Sequence, residues 1–378
     1  MKKKYLMTPG PTPVAESTLA AMSMPIIHHR HPEFKGILEE VRGGLKKLFN
    51  TKQEVIMMAS SGTGAMEGSI INTMSKGDRA IVVRAGKFGE RWTEICEAYG
   101  IEADNLDVEW GKPVDPADVK KKMEEKPAKA VMVQFTETST GVLHPIKELA
   151  ELTKGTDTLL FVDGVTGVGV VDIPFDEWGI DVLITGSQKA LMLPPGLGFA
   201  CLSDKAWKAA ESSDLPKYYF NFVKEHKKIK ENSTAYTPAI TLIIGLREML
   251  TRTSEIGFEN IYAENAHMAE ATREAMKALG LELFAPSAPS PALTAVKAPE
   301  GVDGQEVVKV MRDEYGIAIA GGQAQAKGKI FRIAHMGYIS RAELTATIAA
   351  LEATLAGLGH KFEPGAGVAA LLNKLNQA

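Results

Sequence analysis

The sequence predicts an α/β protein: a mainly parallel sheet sandwiched by helices in a large domain, followed by a smaller C-terminal α+β domain. Three observations carry this. From about residue 55 to 200, short apolar runs alternate with longer segments of helical period, which is the pattern of βα units. Each run is followed at once by polar, Gly-rich or aromatic sequence. Near residue 257 the pattern changes to long amphipathic stretches interleaved with two strand-like runs. The length of 378 residues agrees, because one core rarely grows beyond roughly 250–300 residues.

Residues 1–20, with "TPGPTPV", read as an N-terminal arm, 21–256 as the large domain and 257–378 as the small one. In the large domain the predicted strands are 55–59, 80–83, 130–135, 159–162 and 182–185, with "GLGFACLS" as an antiparallel return. The small domain opens on a long helix in "ENIYAENAHMAEATREAMKALG". A strand in "ALTAVKA", a helix in "GQEVVKVMRDEYG", a strand in "KIFRIAH" and a helix in "RAELTATIAALEATLAGLG" follow. The tail "KFEPGAGVAALLNKLNQA" reads as a Gly/Pro linker and a short apolar helix docked on the surface.

Hydrophobic residues make up 45% and charged residues 24%, a globular composition. A net charge of -4 gives no electrostatic reason to expect nucleic acid or an anionic membrane as partner. The two cysteines, Cys96 and Cys201, form no C-x-x-C pair, so neither a disulfide framework nor a cysteine metal site is expected. The apolar run after the first lysines ends at Pro9, too short for a signal peptide, and no run approaches a membrane span. A cytoplasmic protein is expected.

Ligands of open α/β sheets bind outside the carboxyl ends of the strands, so the residues at those ends matter most. "SSGTGAMEG" after the first strand is a Gly-rich helix start whose unpaired N–H groups suit a phosphate, or a simple turn. It lacks the G-K-[ST] of a Walker loop, and Glu67 stands where a dinucleotide fingerprint needs its third glycine. "LLFVDG" ends a fully apolar strand in Asp163, which either caps backbone N–H groups or waits for a cationic ring nitrogen. Lys189, in "GSQKALMLPPG", follows Asp163 by 26 residues, about one strand-helix-strand unit, so the two can meet at one sheet edge. A lysine desolvated there becomes a nucleophile toward carbonyl carbon. Phosphate cradle, aspartate and lysine together match the needs of pyridoxal 5'-phosphate. Phe88 can stack on a flat ring or fill the core, and Thr138 can donate to a ring oxygen or cap a turn. Arg332, inside the apolar run "IFRIAH", needs an anion: a substrate carboxylate or a buried salt-bridge partner. "HHRHPEF" has an H-x-H spacing but no third ligand motif, so an interface or pocket loop is preferred to a metal site.

Taken together, "TPGPTPV", "SSGTGAMEG", "TETSTGVLHPI", "FVDGVTGVG", "GSQKALMLPPG" and "GKIFRI" resemble the class V aminotransferases of fold type I, close to the alanine:glyoxylate and serine:pyruvate enzymes. The resemblance runs through nearly the whole chain. It implies that Lys189 carries the cofactor as a Schiff base, that Asp163 pairs with the pyridine nitrogen, and that Gln188 and Thr138 hold its polar groups. Thr63, Gly64 and Ala65 fall at the family's phosphate-binding backbone, and Phe88 stands where an aromatic, often tryptophan, stacks. "STAYTPAI" resembles the segment that reaches the phosphate from the other subunit, which implies a homodimer with shared active sites and singles out Thr234 and Thr237. Arg332 matches the carboxylate-binding arginine, and Gly10 would lie at the substrate mouth.

The reaction implied is transfer of an amino group from a small amino acid, alanine or serine, to glyoxylate or pyruvate. A dicarboxylic donor would want a second cationic contact, and the motifs supply only Arg332. The alternatives are a 2-aminoethylphosphonate:pyruvate transaminase and, from another class, a nicotinamide-dependent oxidoreductase, which the broken fingerprint disfavours. Cysteine desulfuration is disfavoured because neither cysteine falls in the small-domain loop.

Overall fold

A computed structural model describes residues 4–377; residues 1–3 of the expected arm lie outside it. The described residues build a seven-stranded sheet in the order Val55–Ala59, Leu197–Leu202, Val182–Gly186, Leu159–Asp163, Ala130–Gln134, Arg79–Arg84, Glu102–Asp107. Leu197–Leu202 runs antiparallel to both neighbours, as expected for a return strand, and the other pairings are parallel.

The two-residue period of the strands divides their apolar side chains between two cores. Ile81, Val83, Val131, Val133, Leu160 and Val162 pack on one face, against Phe34, Ile37 and Val41 of the helix Pro32–Leu48. Val82, Met132, Leu159 and Phe161 pack on the other, against Met66 and Ile70 of the helix Gly62–Thr73 and Trp92 of the helix Lys87–Ala98. Burial on both faces explains why these strands read as unbroken apolar runs.

Glu102–Asp107 was not among the expected strands. It is the sheet's edge, and its mostly half-buried "EADNLD" carries neither an apolar run nor alternation.

Toward the C-terminus, Leu293–Lys297, Ile330–Ala334 and Ala320–Gly321 form an antiparallel sheet with Ile330–Ala334 in the middle. It shares a core with the helices Phe258–Ala278, Gly304–Tyr315 and Arg341–Gly357. The tail forms the helix Ala366–Leu375, docked through Leu371 and Leu375. The first residues of the chain join this part: Tyr5–Leu6 pairs parallel with Ile317–Ala318, and Met7 is buried in the same core. From that anchor the chain crosses to the sheet edge, where the Thr12 N–H donates to the Gln188 carbonyl at 3.0 Å. Among the described residues no helix is long and apolar enough to cross a membrane.

Candidate active site

Asp163 is the last residue of its strand, and Ser187, Gln188 and Lys189 follow the adjacent parallel strand Val182–Gly186 in a turn. Both side chains line one cavity of about 270 Å³. Each is almost wholly buried, and the physical effects compete. Burial lowers the Lys189 ammonium to about 8 against a partial rise from Asp163. Burial raises the Asp163 carboxyl to about 6, with the Val165 N–H and Lys189 pulling it back. The two charges act on each other, yet no contact ion pair joins them. Lys189 Nζ instead donates to the Pro9 carbonyl. Asp163 Oδ1 accepts from the Val165 N–H at 2.9 Å, so the backbone-capping role accounts for one of its two oxygens.

The N-terminal arm holds the lysine from two directions. The Thr12 hydroxyl donates to the Lys189 carbonyl at 2.7 Å, while Gly10 passes over the side chain at φ +123. A β-carbon at Gly10 would fall on the Lys189 methylenes. Only glycine gives both that backbone angle and that approach.

Arg332 sits in the central C-terminal strand, with Ala295 and Ala320 as register partners. The small neighbours leave room for its side chain. Nη1 donates to the Thr138 carbonyl at 2.7 Å, and Nε and Nη2 to the Gly321 carbonyl at 3.1 and 2.6 Å. No carboxylate pairs with it, so the internal salt bridge that the sequence left open is not formed by the described residues. Burial, partly offset by Glu137, brings the guanidinium down to about 10. A buried guanidinium bound only by neutral carbonyls retains its need for an anion.

Phe88 lines the cavity half-buried instead of filling the core. Its position is set by Glu137, a buried carboxylate that sequence reasoning passed over. One Glu137 oxygen accepts from the Phe88 and Gly89 N–H groups at 3.1 and 3.0 Å; the other accepts from the Ser139 N–H and hydroxyl at 3.1 and 2.5 Å. Phe88 and Gly89 open the helix Lys87–Ala98, where an acceptor meets unpaired N–H groups and the positive dipole end. Thr138, next in sequence, faces the cavity, and its hydroxyl shares a 2.7 Å hydrogen bond with that of Thr166.

At the start of the helix Gly62–Thr73 the three expected phosphate residues, Thr63, Gly64 and Ala65, are placed differently from one another. Ser61, Gly62 and Thr63 line the cavity, whereas Gly64 and Ala65 do not. The Ala65 N–H is taken by the Ser61 carbonyl at 3.1 Å, because the first intrahelical bond forms there. The Gly62, Thr63 and Gly64 N–H groups, ahead of that first bond, have no intrahelical partner, whereas that of Ala65 is used. Glu67, where a third glycine would stand, lies inside the helix and accepts from the Tyr99 hydroxyl.

Thr234 and Thr237 line a different cavity, with Tyr219, Phe220 and Glu225, and the Thr234 hydroxyl donates to the Tyr236 carbonyl at 2.6 Å. Within one chain they do not join Lys189. His31 accepts from the Glu33 N–H at 3.3 Å and caps the helix Pro32–Leu48. Among the described residues no group of three or more His, Cys, Asp or Glu side chains is placed to hold a metal ion.

The sequence pattern of the family described as Aminotransferase class-V matches residues 5–349. The chain belongs to the class V aminotransferases. It is 44% identical to a protein from Synechococcus sp. described as "Soluble hydrogenase, small subunit", over 100% of this chain and 99% of that one. It is also 36% identical to the serine–glyoxylate aminotransferase of Methylorubrum extorquens, over 99% of this chain and 96% of that enzyme. Among solved structures, ureidoglycine–glyoxylate aminotransferase from Bacillus subtilis superposes with a TM-score of 0.95 at 30% identity, covering 100% of this chain and 99% of that one. The fold is thus that of known aminotransferases.

For a class V aminotransferase, the sequence missed one cavity residue with a full charge. Arg91 lines the cavity, donates from Nη1 to the Thr63 hydroxyl at 3.1 Å, and stands over the Phe88 ring at 4.9 Å. The available signal was its spacing: Phe88 and Arg91 are three residues apart, hence on one helix face.

Proposed function

We propose that this class V aminotransferase uses pyridoxal 5'-phosphate to move an amino group from alanine or serine to glyoxylate or pyruvate. The observation that carries the reading is the buried Lys189 beside Asp163 at the sheet edge, with the Arg332 charge acting on Lys189 and no acid partner for Arg332 among the described residues. Two further features fit the cofactor. Gln188 Oε1 is buried with no partner and lines the cavity, where a ring substituent can donate to it. The Gly62 and Thr63 N–H groups suit a phosphate.

When bound, the cofactor supplies a carbonyl carbon that condenses with amines and a ring that takes up the electrons of a broken Cα–H bond. The protein does the rest. Asp163, ionised at neutral pH, would hold a proton on the ring nitrogen of the bound cofactor. Phe88, lining the cavity, would stack on one face of the ring. Lys189 Nζ accepts the proton from the substrate Cα and returns it, a role suited to a group lowered to about 8. Arg332 fixes the substrate carboxylate and thereby the direction of the bond to be broken. Gly10 keeps the mouth open beside Lys189.

The reading extends to the assembly: a cytoplasmic homodimer in which Thr234 and Thr237 serve the other subunit's phosphate. It also includes the division into an arm, 1–20, a large domain, 21–256, and a small domain, 257–378. The glyoxylate acceptor draws support from the relatives' names. Borohydride reduction of the purified protein followed by peptide mapping tests the core of the proposal. The expected result is a phosphopyridoxyl adduct on Lys189; a tag on another lysine overturns it. A panel of donors including 2-aminoethylphosphonate then tests the substrate class, and preference for the phosphonate displaces alanine and serine.

A further inference from the structure

We propose that Arg91 is the cation that neutralises the cofactor's phosphate, acting beside the helix start at Gly62. The inference rests on the reading above and adds a residue to it. Arg91 reaches the cavity from the helix Lys87–Ala98 and binds the side chain of Thr63, one of the first residues of the helix Gly62–Thr73. Among the described residues its guanidinium has no carboxylate partner. Glu94, three residues on, is at ion-pairing spacing but forms no ion pair with it, and Glu90 is taken by Lys87. The side chain instead lies over Phe88 and against Thr63, with four of its five N–H donors uncommitted.

Charge balance supports the assignment. A phosphate monoester carries about −1.5 to −2 charges at neutral pH. A helix N-terminus offers about half a positive charge. Lys189 is opposed by Asp163, and Arg332 is tied to Thr138 and Gly321, where it serves the substrate. Arg91 is the remaining cation that lines the cavity, and its field reaches both Asp163 and Lys189. The anion it meets is the one on the Gly62 and Thr63 N–H groups.

The test strips the cofactor from wild type, Arg91→Met and Arg91→Gln, and titrates each with pyridoxal 5'-phosphate and with pyridoxal, read by absorbance and intrinsic fluorescence. Methionine keeps the stem over Phe88; glutamine keeps a donor for Thr63. Both lose the charge. The expected result is a loss of about ten- to hundredfold in affinity for the phosphorylated compound, with pyridoxal binding changed less than about twofold. Equal losses for both compounds identify a packing role and overturn the proposal, as does unchanged phosphate affinity. A defect confined to the KM of dicarboxylic donors would reassign Arg91 to the substrate. Wild type that binds neither compound overturns the parent reading itself, a result distinct from any of these.

Discussion

The Arg332 guanidinium donates to the Thr138 carbonyl at 2.7 Å, across 194 residues of sequence. That bond joins the C-terminal sheet to the loop after Ala130–Gln134; Thr138 lines the cavity of Lys189 and Asp163, and the Arg332 charge acts on Lys189. It orients one edge of a planar fork without neutralising it.

Arg332→Lys is expected to lower kcat/KM for the amino donor roughly ten- to hundredfold, because an ammonium cannot make two parallel bonds to a carboxylate while also reaching Thr138 and Gly321. Cofactor content should stay near normal. An amine without a carboxylate is the control, and steady-state kinetics on both substrates checks it. Equal losses on the two amines would show that Arg332 holds the structure only.

Gly10→Ala forces an L-residue into φ +123 and places a methyl group on the Lys189 side chain. The backbone cost is about 1–3 kcal/mol. The expected outcome is a small drop in melting temperature with a much larger drop in turnover, measured by calorimetry and by activity on the same preparation. Turnover falling only in step with stability would remove Gly10 from the mouth.

Lys189→Met removes a charge that the fold keeps at a cost. In the cofactor-free protein Lys189 titrates near 8 against 10.5 when unfolded, so between those values the unfolded chain binds more protons and stability rises with pH. The cost is fully present below about pH 8 and gone above about pH 10.5, on the order of 3 kcal/mol by the shift. Cofactor-free Lys189→Met should therefore be more stable than wild type at pH 7.5, and the difference should vanish toward pH 10.5. Urea melts at both pH values check this; a gap that widens with pH contradicts the assignment.

Subunit sharing predicts complementation. Lys189→Ala and Thr237→Val should each be weak alone, and unfolding and refolding the two together should restore activity, since mixed dimers contain one intact site. Size-exclusion chromatography with an activity assay reads the result. Restoration that never occurs, although mixed dimers form, places Thr237 outside its partner's site.

The sequence alone carried the buried strands, because burial on both faces demands unbroken apolar runs, and it carried the Asp163–Lys189 pairing, because one strand-helix-strand unit has a narrow length. It also singled out Arg332, since an arginine among Ile, Phe and Ile must find partners, and in the structure these are the Thr138 and Gly321 carbonyls. Other features were decided only in three dimensions. The edge strand Glu102–Asp107 left no pattern, because a half-buried edge makes few demands on side-chain type. The first available donor of the helix Gly62–Thr73 depended on where its hydrogen-bonded ladder starts. Glu137 and Arg91 read as ordinary charges, since each is defined by backbone N–H groups or a hydroxyl brought from elsewhere in the chain. Whether Arg332 had an internal acid partner was likewise a question of which carboxylates the fold brings near, and among the described residues it brings none into contact.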